Sequence, residues 1–256
     1  MNQEANIYIE GIPNTIRQDV PRYYQQVSSV DRRLLAGEPL AGRRILNVGS
    51  GRYLFSDVYF ARRGASGTCL DLDPAEIAAA RQRLAATRTA EGWDVPLSFT
   101  VGDGAQLPFG DATFDYAISF SAIEHIPAAA DRRRAIREMA RVLKAGGKLV
   151  ITVPNRLNVP AGILARSWSR RMATYEYRYR PRELRDLLAA SGLTVERFDA
   201  ESLYLIDFPL VASRLPWLQK LPLSLFAPLS WGLRRLNSAR WLKPLGMRMG
   251  FRAVKR

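Results

Sequence analysis

The chain has 256 residues, enough for one large domain or two small ones with a substantial buried core. Hydrophobic residues make up 47% and charged residues 24%, the balance of an ordinary globular protein and too apolar for a disordered one. Lys and Arg number 38 against 24 Asp and Glu, and the resulting charge of +14 points to an anionic partner (nucleic acid, acidic lipid or a phosphorylated substrate) without bearing on fold.

The N-terminal stretch "MNQEANIYIEGIPNTIRQD" lacks the apolar core of a secretory signal. No run anywhere reaches the ~20 apolar residues of a spanning helix. The expected location is cytoplasmic, with room for association at the inner membrane surface. Residues 1–41 read as helices packed ahead of the first strand. From about residue 42 strand-like and helix-like segments alternate. Apolar runs predict strands at 44–48, 67–71, 97–101, 115–120 and 148–153, and helical patterns fall at 54–63, 75–89 and 131–143. The second helix has a clear start: Asp73 can cap it, Pro74 suits its first turn and Glu76 completes a capping box. Asp131 is the candidate cap of the third, and Gly146-Gly147 the candidate stop. Such alternation predicts a parallel sheet covered on both faces. Cys69, the single cysteine, excludes an internal disulfide framework and a cysteine-cluster metal site; within "GTCLDL" it reads as a small core hydrophobe.

Ligands of an open parallel sheet bind outside the carboxyl ends of its strands. The first strand delivers Gly49-Ser50-Gly51 there, where missing side chains let a ligand approach the backbone. The second ends at Asp71, 22 residues after Gly49, where a carboxylate can accept hydrogen bonds from both hydroxyls of a ribose. The third offers Asp103 between two glycines and the fourth ends in "DYAISFSAIEH". Plainer roles remain open: a solvated strand-end acid for Asp71, a turn residue for Asp103. A dinucleotide site wants a third glycine where Leu54 stands, so nicotinamide binding is disfavoured.

The segments "ILNVGSGRY", "GTCLDLDPAEI", "FTVGDGAQLPFGDATFDYAISFSAIEHI" and "EMARVLKAGGKLVITVPN", in this order, resemble the successive motifs of class I S-adenosylmethionine-dependent methyltransferases. The small-molecule type that includes quinone- and lipid-biosynthesis enzymes is the nearest, and "YRPRELRDLLAASGLTVERFD" is similar to that family's penultimate helix and strand. The resemblance implies a Rossmann-like α/β fold: a seven-stranded, mostly parallel sheet with helices on both faces, a helical N-terminal segment and a helical insertion before the last strand. It implies S-adenosylmethionine as cofactor, bound by Asn47, Gly49, Ser50, Gly51, Asp71, Leu72, Asp103, Gly104, Ala105, Ser119 and Phe120. Gly49 and Gly51 would line its methionine part and Asp71 its ribose. Asp103 would take the adenine amino group, with the backbone of Gly104 or Ala105 reading the ring edge, and Ser119 and Phe120 would lie beneath. Two positions depart from the family: Asn47 stands where an acid is usual, and Tyr53 replaces a common third glycine.

His125 is the single histidine; it or Glu124 is a candidate general base after the fourth strand, and the alternative duty of this pair is to position the helix that covers the cofactor. A metal-binding subset of the family carries Glu-x-x-Glu-His; here Ser121 takes the first acid's place, so no metal is expected. Residues 205–256 hold ten Lys and Arg against Asp207, together with Trp217, Trp231 and Trp241. Basic residues mixed with Trp and Leu suit an interfacial membrane element, or a lid over the active site. Because aliphatics rather than polar residues interleave the charges, and no RNA-binding module is recognisable, nucleic acid is disfavoured. One domain over 1–256 is the simplest partition: an N-terminal cap to 41, a cofactor core 42–204, the insertion 205–247 and a final strand 248–256. The expected activity is methyl transfer to a small hydrophobic or amphiphilic acceptor (quinone, lipid or similar natural product). The rival is a non-catalytic, membrane-peripheral cofactor-binding protein, with an RNA methyltransferase behind it.

Overall fold

The computed structural model describes residues 29–92, 95–158, 175–201 and 240–256. The strands are β1 (Arg44–Val48), β2 (Ser66–Asp71), β3 (Leu97–Val101), β4 (Phe114–Phe120), β5 (Leu143–Pro154), β6 (Leu193–Glu201) and β7 (Arg248–Lys255). The helices are α1 (Ser29–Leu35), α2 (Phe55–Ala61), α3 (Pro74–Glu91), α4 (Ala129–Val142) and α5 (Pro181–Ala190). Short 3₁₀ turns lie at Ile123–His125 and Arg240–Leu245. The insertion expected over 205–247 and the cap expected over 1–41 lie outside the described residues, apart from 240–247 and 29–41.

Local chemistry explains most boundaries. Asp73 Oδ1 accepts from Ala75 N at 2.8 Å, Pro74 opens α3, and Gly92, at φ +63°, ends it in the left-handed region. Glu76 does not complete the expected capping box; its carboxylate accepts from Arg52 Nε at 2.9 Å. α4 begins at Ala129 after Ala128, which offers no side-chain cap. Asp131, the expected cap, sits instead within the first turn, where its charge suits the helix dipole. The expected stop at Gly146-Gly147 is displaced too. α4 passes directly into β5 at Leu143, which pairs with Phe114, and the register then jumps so that Tyr116 meets Lys148. Gly146, at φ +72°, lies in the bulged stretch between, so the glycines serve a strand irregularity rather than a helix end.

The strands order as β3-β2-β1-β4-β5-β7-β6. β1 through β5 pair in parallel, while β7 runs antiparallel between β5 and β6. The two-residue side-chain period sorts the core into two layers. Ile45, Ile118 and Val150 face α1, α2 and α3; Leu46, Ala117, Leu149 and Ile151 face α4 and α5. Each such buried Val, Leu or Ile stabilises the fold by roughly 1.5–3 kcal/mol. β1 lies between β2 and β4, so the strand order reverses beside it and leaves a crevice at the carboxyl edge. The reversed direction of β7 brings its first residue, Arg248, to that same edge opposite Pro154.

Candidate active site

The loop after β1 is held by its backbone. Gly49 N and Ser50 N both donate to Leu70 O, at 2.8 and 3.0 Å, which ties the loop to β2. Gly49 takes φ +75°, and a Cβ there would fall 2.2 Å from Ala122 Cβ, so the loops after β1 and β4 touch at this glycine. Ser50 Oγ is buried without a hydrogen-bond partner. At the tip of β2 the half-buried Asp71 carboxylate accepts from Gly51 N (2.9 Å) through Oδ2 and from Asp73 N (3.0 Å) through Oδ1. Those two bonds fix its orientation and leave acceptor capacity on each oxygen.

Leu72 and Val101, beside the tips of β2 and β3, are 69% and 49% exposed, an unusual display of apolar surface next to two acids. The exposed Asp103 accepts from Ala105 N at 2.8 Å through Oδ1. The Ala105 N–H is therefore already used within the loop, and the residue is buried. An orphaned hydroxyl, a pre-oriented carboxylate and exposed aliphatics along one strand edge are groups that could hold an adenosyl ligand.

Other expected site residues are turned elsewhere. Asn47 is buried, and its amide donates to both oxygens of Asp57, each at 3.0 Å. Burial raises the Asp57 carboxyl, with Asn47 and Cys69 hydrogen bonds opposing. Asn47 thus works beneath the loop, joining β1 to α2. Ser119 Oγ donates to Val48 O at 3.0 Å and is buried, so it clamps β4 to β1. Phe120 is partly buried against the core. Tyr53 packs against the same core with the Arg83 guanidinium 5.5 Å from its ring centre, rather than crowding the loop.

After β4 the chain turns through Ser121, at φ +52°, into Ile123–His125. Here the two candidates separate. His125 is exposed, and its Nδ1 donates to Tyr175 O at 2.8 Å. Glu124 is 1% exposed and its Oε2 has no hydrogen-bond partner. Burial pushes its carboxyl up to about 7, opposed by the His125 and Arg248 charges. Around it stand groups without a sequence motif. Arg248 Nη2 donates to Thr152 Oγ1 at 2.7 Å and lies 3.8 Å from Asp31 Oδ1. Asp31 is buried, which raises its carboxyl, and the Tyr179 hydroxyl is buried without a partner. In the sequence Asp31 stands in SVDRRLL directly before Arg32 and Arg33, where nothing marks it as a buried acid. Among the described residues no three His, Cys, Asp or Glu are placed to hold a metal ion.

Residues 46–151 match the family described as methyltransferase domain. Methyltransferase GfsG of Streptomyces halstedii is 31% identical over 140 residues, 50% of this chain and 48% of that protein. The ubiquinone/menaquinone biosynthesis C-methyltransferase UbiE of Roseobacter denitrificans is 34% identical over 125 residues, 48% of this chain and 47% of its own. The matched segment is thus about half the length of these curated relatives. Among solved structures, an S-adenosylmethionine-dependent methyltransferase from Mesorhizobium loti superposes with a TM-score of 0.61 at 17% identity, covering 90% of this chain and 98% of the other. Magnesium protoporphyrin IX methyltransferase from Synechocystis with bound S-adenosylhomocysteine gives 0.60 at 18% identity, covering 98% and 92%. At such identities the superpositions speak for the fold.

Proposed function

We propose, on the premise that residues 46–151 are a methyltransferase domain of the class I, S-adenosylmethionine-dependent kind, that the chain transfers a methyl group to a small hydrophobic or amphiphilic acceptor. The observation that carries the reading is Asp71: a half-buried carboxylate, locked by two backbone N–H groups and set between a glycine loop and the exposed Leu72. The bound cofactor supplies a methyl group on a cationic sulfur, a leaving group already built in. The chain's own work is to orient the two reactants, which alone removes several kcal/mol of barrier.

Asp71→Ala tests this directly. Two hydrogen bonds to a carboxylate contribute about 1.5–3 kcal/mol each, so calorimetry with S-adenosylmethionine and S-adenosylhomocysteine should show affinity falling roughly a hundredfold or more. Unchanged affinity removes the ribose assignment.

An acceptor of quinone, lipid or natural-product type suits the apolar, tryptophan-bearing segment 205–256, whose basic residues also suit docking at an anionic membrane. The relatives named for ubiquinone/menaquinone biosynthesis support the same acceptor class. Asn47 favours a second reading, a cofactor-binding protein without turnover, since its amide puts no charge in the crevice. Label transfer from S-adenosylmethionine into a quinone or lipid extract separates the two.

A further inference from the structure

Beyond the cofactor crevice, the carboxyl edge of the sheet gathers five buried polar side chains from five places in the chain: Asp31 on α1, Glu124 after β4, Thr152 on β5, Tyr179 before α5 and Arg248 at the start of β7. Several are joined: Arg248 donates to Thr152 and neighbours Asp31. Yet Glu124 Oε2, Asp31 Oδ1 and the Tyr179 hydroxyl are left without hydrogen-bond partners. A buried carboxylate oxygen with no donor costs several kcal/mol, and a purely structural role would provide one. The cluster also adjoins the crevice, because Ala122, two residues before Glu124, is the residue a Cβ on Gly49 would strike.

We propose that Glu124 accepts the proton of an uncharged hydroxyl acceptor, a phenol or enol, at the oxygen that becomes methylated, and that Arg248, pinned by Thr152 and Asp31, is the positioning residue that holds Glu124 ready. This rests on the methyl-transfer reading above and adds the acceptor's chemical class to it. The acceptor's O–H bond breaks and its proton passes to Glu124 Oε2. The electron pair released on oxygen forms the new bond to the methyl carbon, and the old carbon–sulfur pair stays on sulfur. Charge balances, since one carboxylate is neutralised as one sulfonium becomes a sulfide. An acceptor carboxylate would meet Glu124 as like charge and would need no proton acceptor. The titratable and charged groups facing Glu124 are His125 on its own turn, Arg248 on β7, and Glu176 and Tyr179 on the segment before α5. Among them His125, and after it Arg248, lower its affinity for the proton.

The test uses the full chain, methyl-labelled S-adenosylmethionine, and catechol, aniline and benzoate as acceptor probes. Label should appear as a base-stable methyl ether of catechol, with kcat/KM climbing as pH rises to about 7 and level above it. Glu124→Gln should lower kcat roughly 10²–10⁴-fold and abolish that rising limb, with S-adenosylhomocysteine affinity unchanged. Arg248→Gln should shift the limb to higher pH. Independently of turnover, carboxyl ¹³C NMR of the cofactor-free protein should show one glutamate titrating near 7 that disappears in Glu124→Gln. A methyl ester of benzoate or N-methylaniline as the main product, a pH limb retained in Glu124→Gln, or no glutamate titrating near neutrality would overturn the proposal. Label on no probe and none in a quinone or lipid extract, while S-adenosylhomocysteine still binds, takes away the methyl-transfer reading itself, whereas methyl ether formation with an unmoved limb takes away Glu124 alone.

Discussion

A carboxyl group buried without a partner makes stability depend on pH, and for Glu124 the sign follows from its surroundings. Unfolded, it releases its proton near the ordinary 4.5; folded, burial holds the proton until about 7. Between those values the folded chain binds more protons than the unfolded one, so stability falls as pH rises. The loss from this group is of the order of 3 kcal/mol by pH 8. Urea denaturation at pH 5 and pH 8 should therefore show Glu124→Gln more stable than the parent at pH 8, with a smaller difference at pH 5. Equal midpoint shifts at both pH values would place the ionised carboxyl in contact with water. At this scale the sequence was legible where a residue's place follows from a strand end. Asp71 and Asp103 sit at the strand tips assigned to them, because a parallel strand must deliver its next residues to the carboxyl edge. Asn47 was not legible, since only the packing of α2 brings Asp57 beneath it.

Among the elements, β7 packs closely against both β5 and α1 at Gly250. A Cβ on Gly250 would lie 2.5 Å from Thr152 Cγ2, 2.6 Å from Leu34 Cδ1 and 2.9 Å from Ile151 O. Backbone cannot yield as a side chain can, so Gly250→Ala should destabilise by about 1–3 kcal/mol through overpacking. A denaturation midpoint at the parent's value would show that α1 rides loosely on the sheet. Strand and helix identities came through because buried runs and the Asp73-Pro74 start are local signals. The bulge around Gly146 did not, because it answers to the Phe114 pairing across the sheet. The Asp31–Arg248–Thr152 group was invisible for the same reason: its members lie far apart in the chain, and only the topology unites them.

Over the whole molecule, positive charge concentrates at the C-terminal end, where ten Lys and Arg of residues 205–256 face one acid. Near an anionic surface each basic residue contributes roughly 1 kcal/mol, screened by salt. Changing Arg214, Lys220, Arg234 and Arg235 together to Gln should therefore release the protein from phosphatidylserine vesicles in a pelleting assay. Undiminished pelleting would count against membrane docking. Composition reported the surplus; its use depends on a surface that composition does not name.

β6 joins the sheet only through β7, and β7 also furnishes Arg248. During synthesis, then, every strand tip from Gly49 to Ala122 leaves the ribosome before β7 does. The proton-handling half must wait for a late segment to thread between two strands already made. A nascent chain halted before residue 248 should accordingly retain affinity for the adenosyl ligand while lacking a finished place for the molecule to be modified.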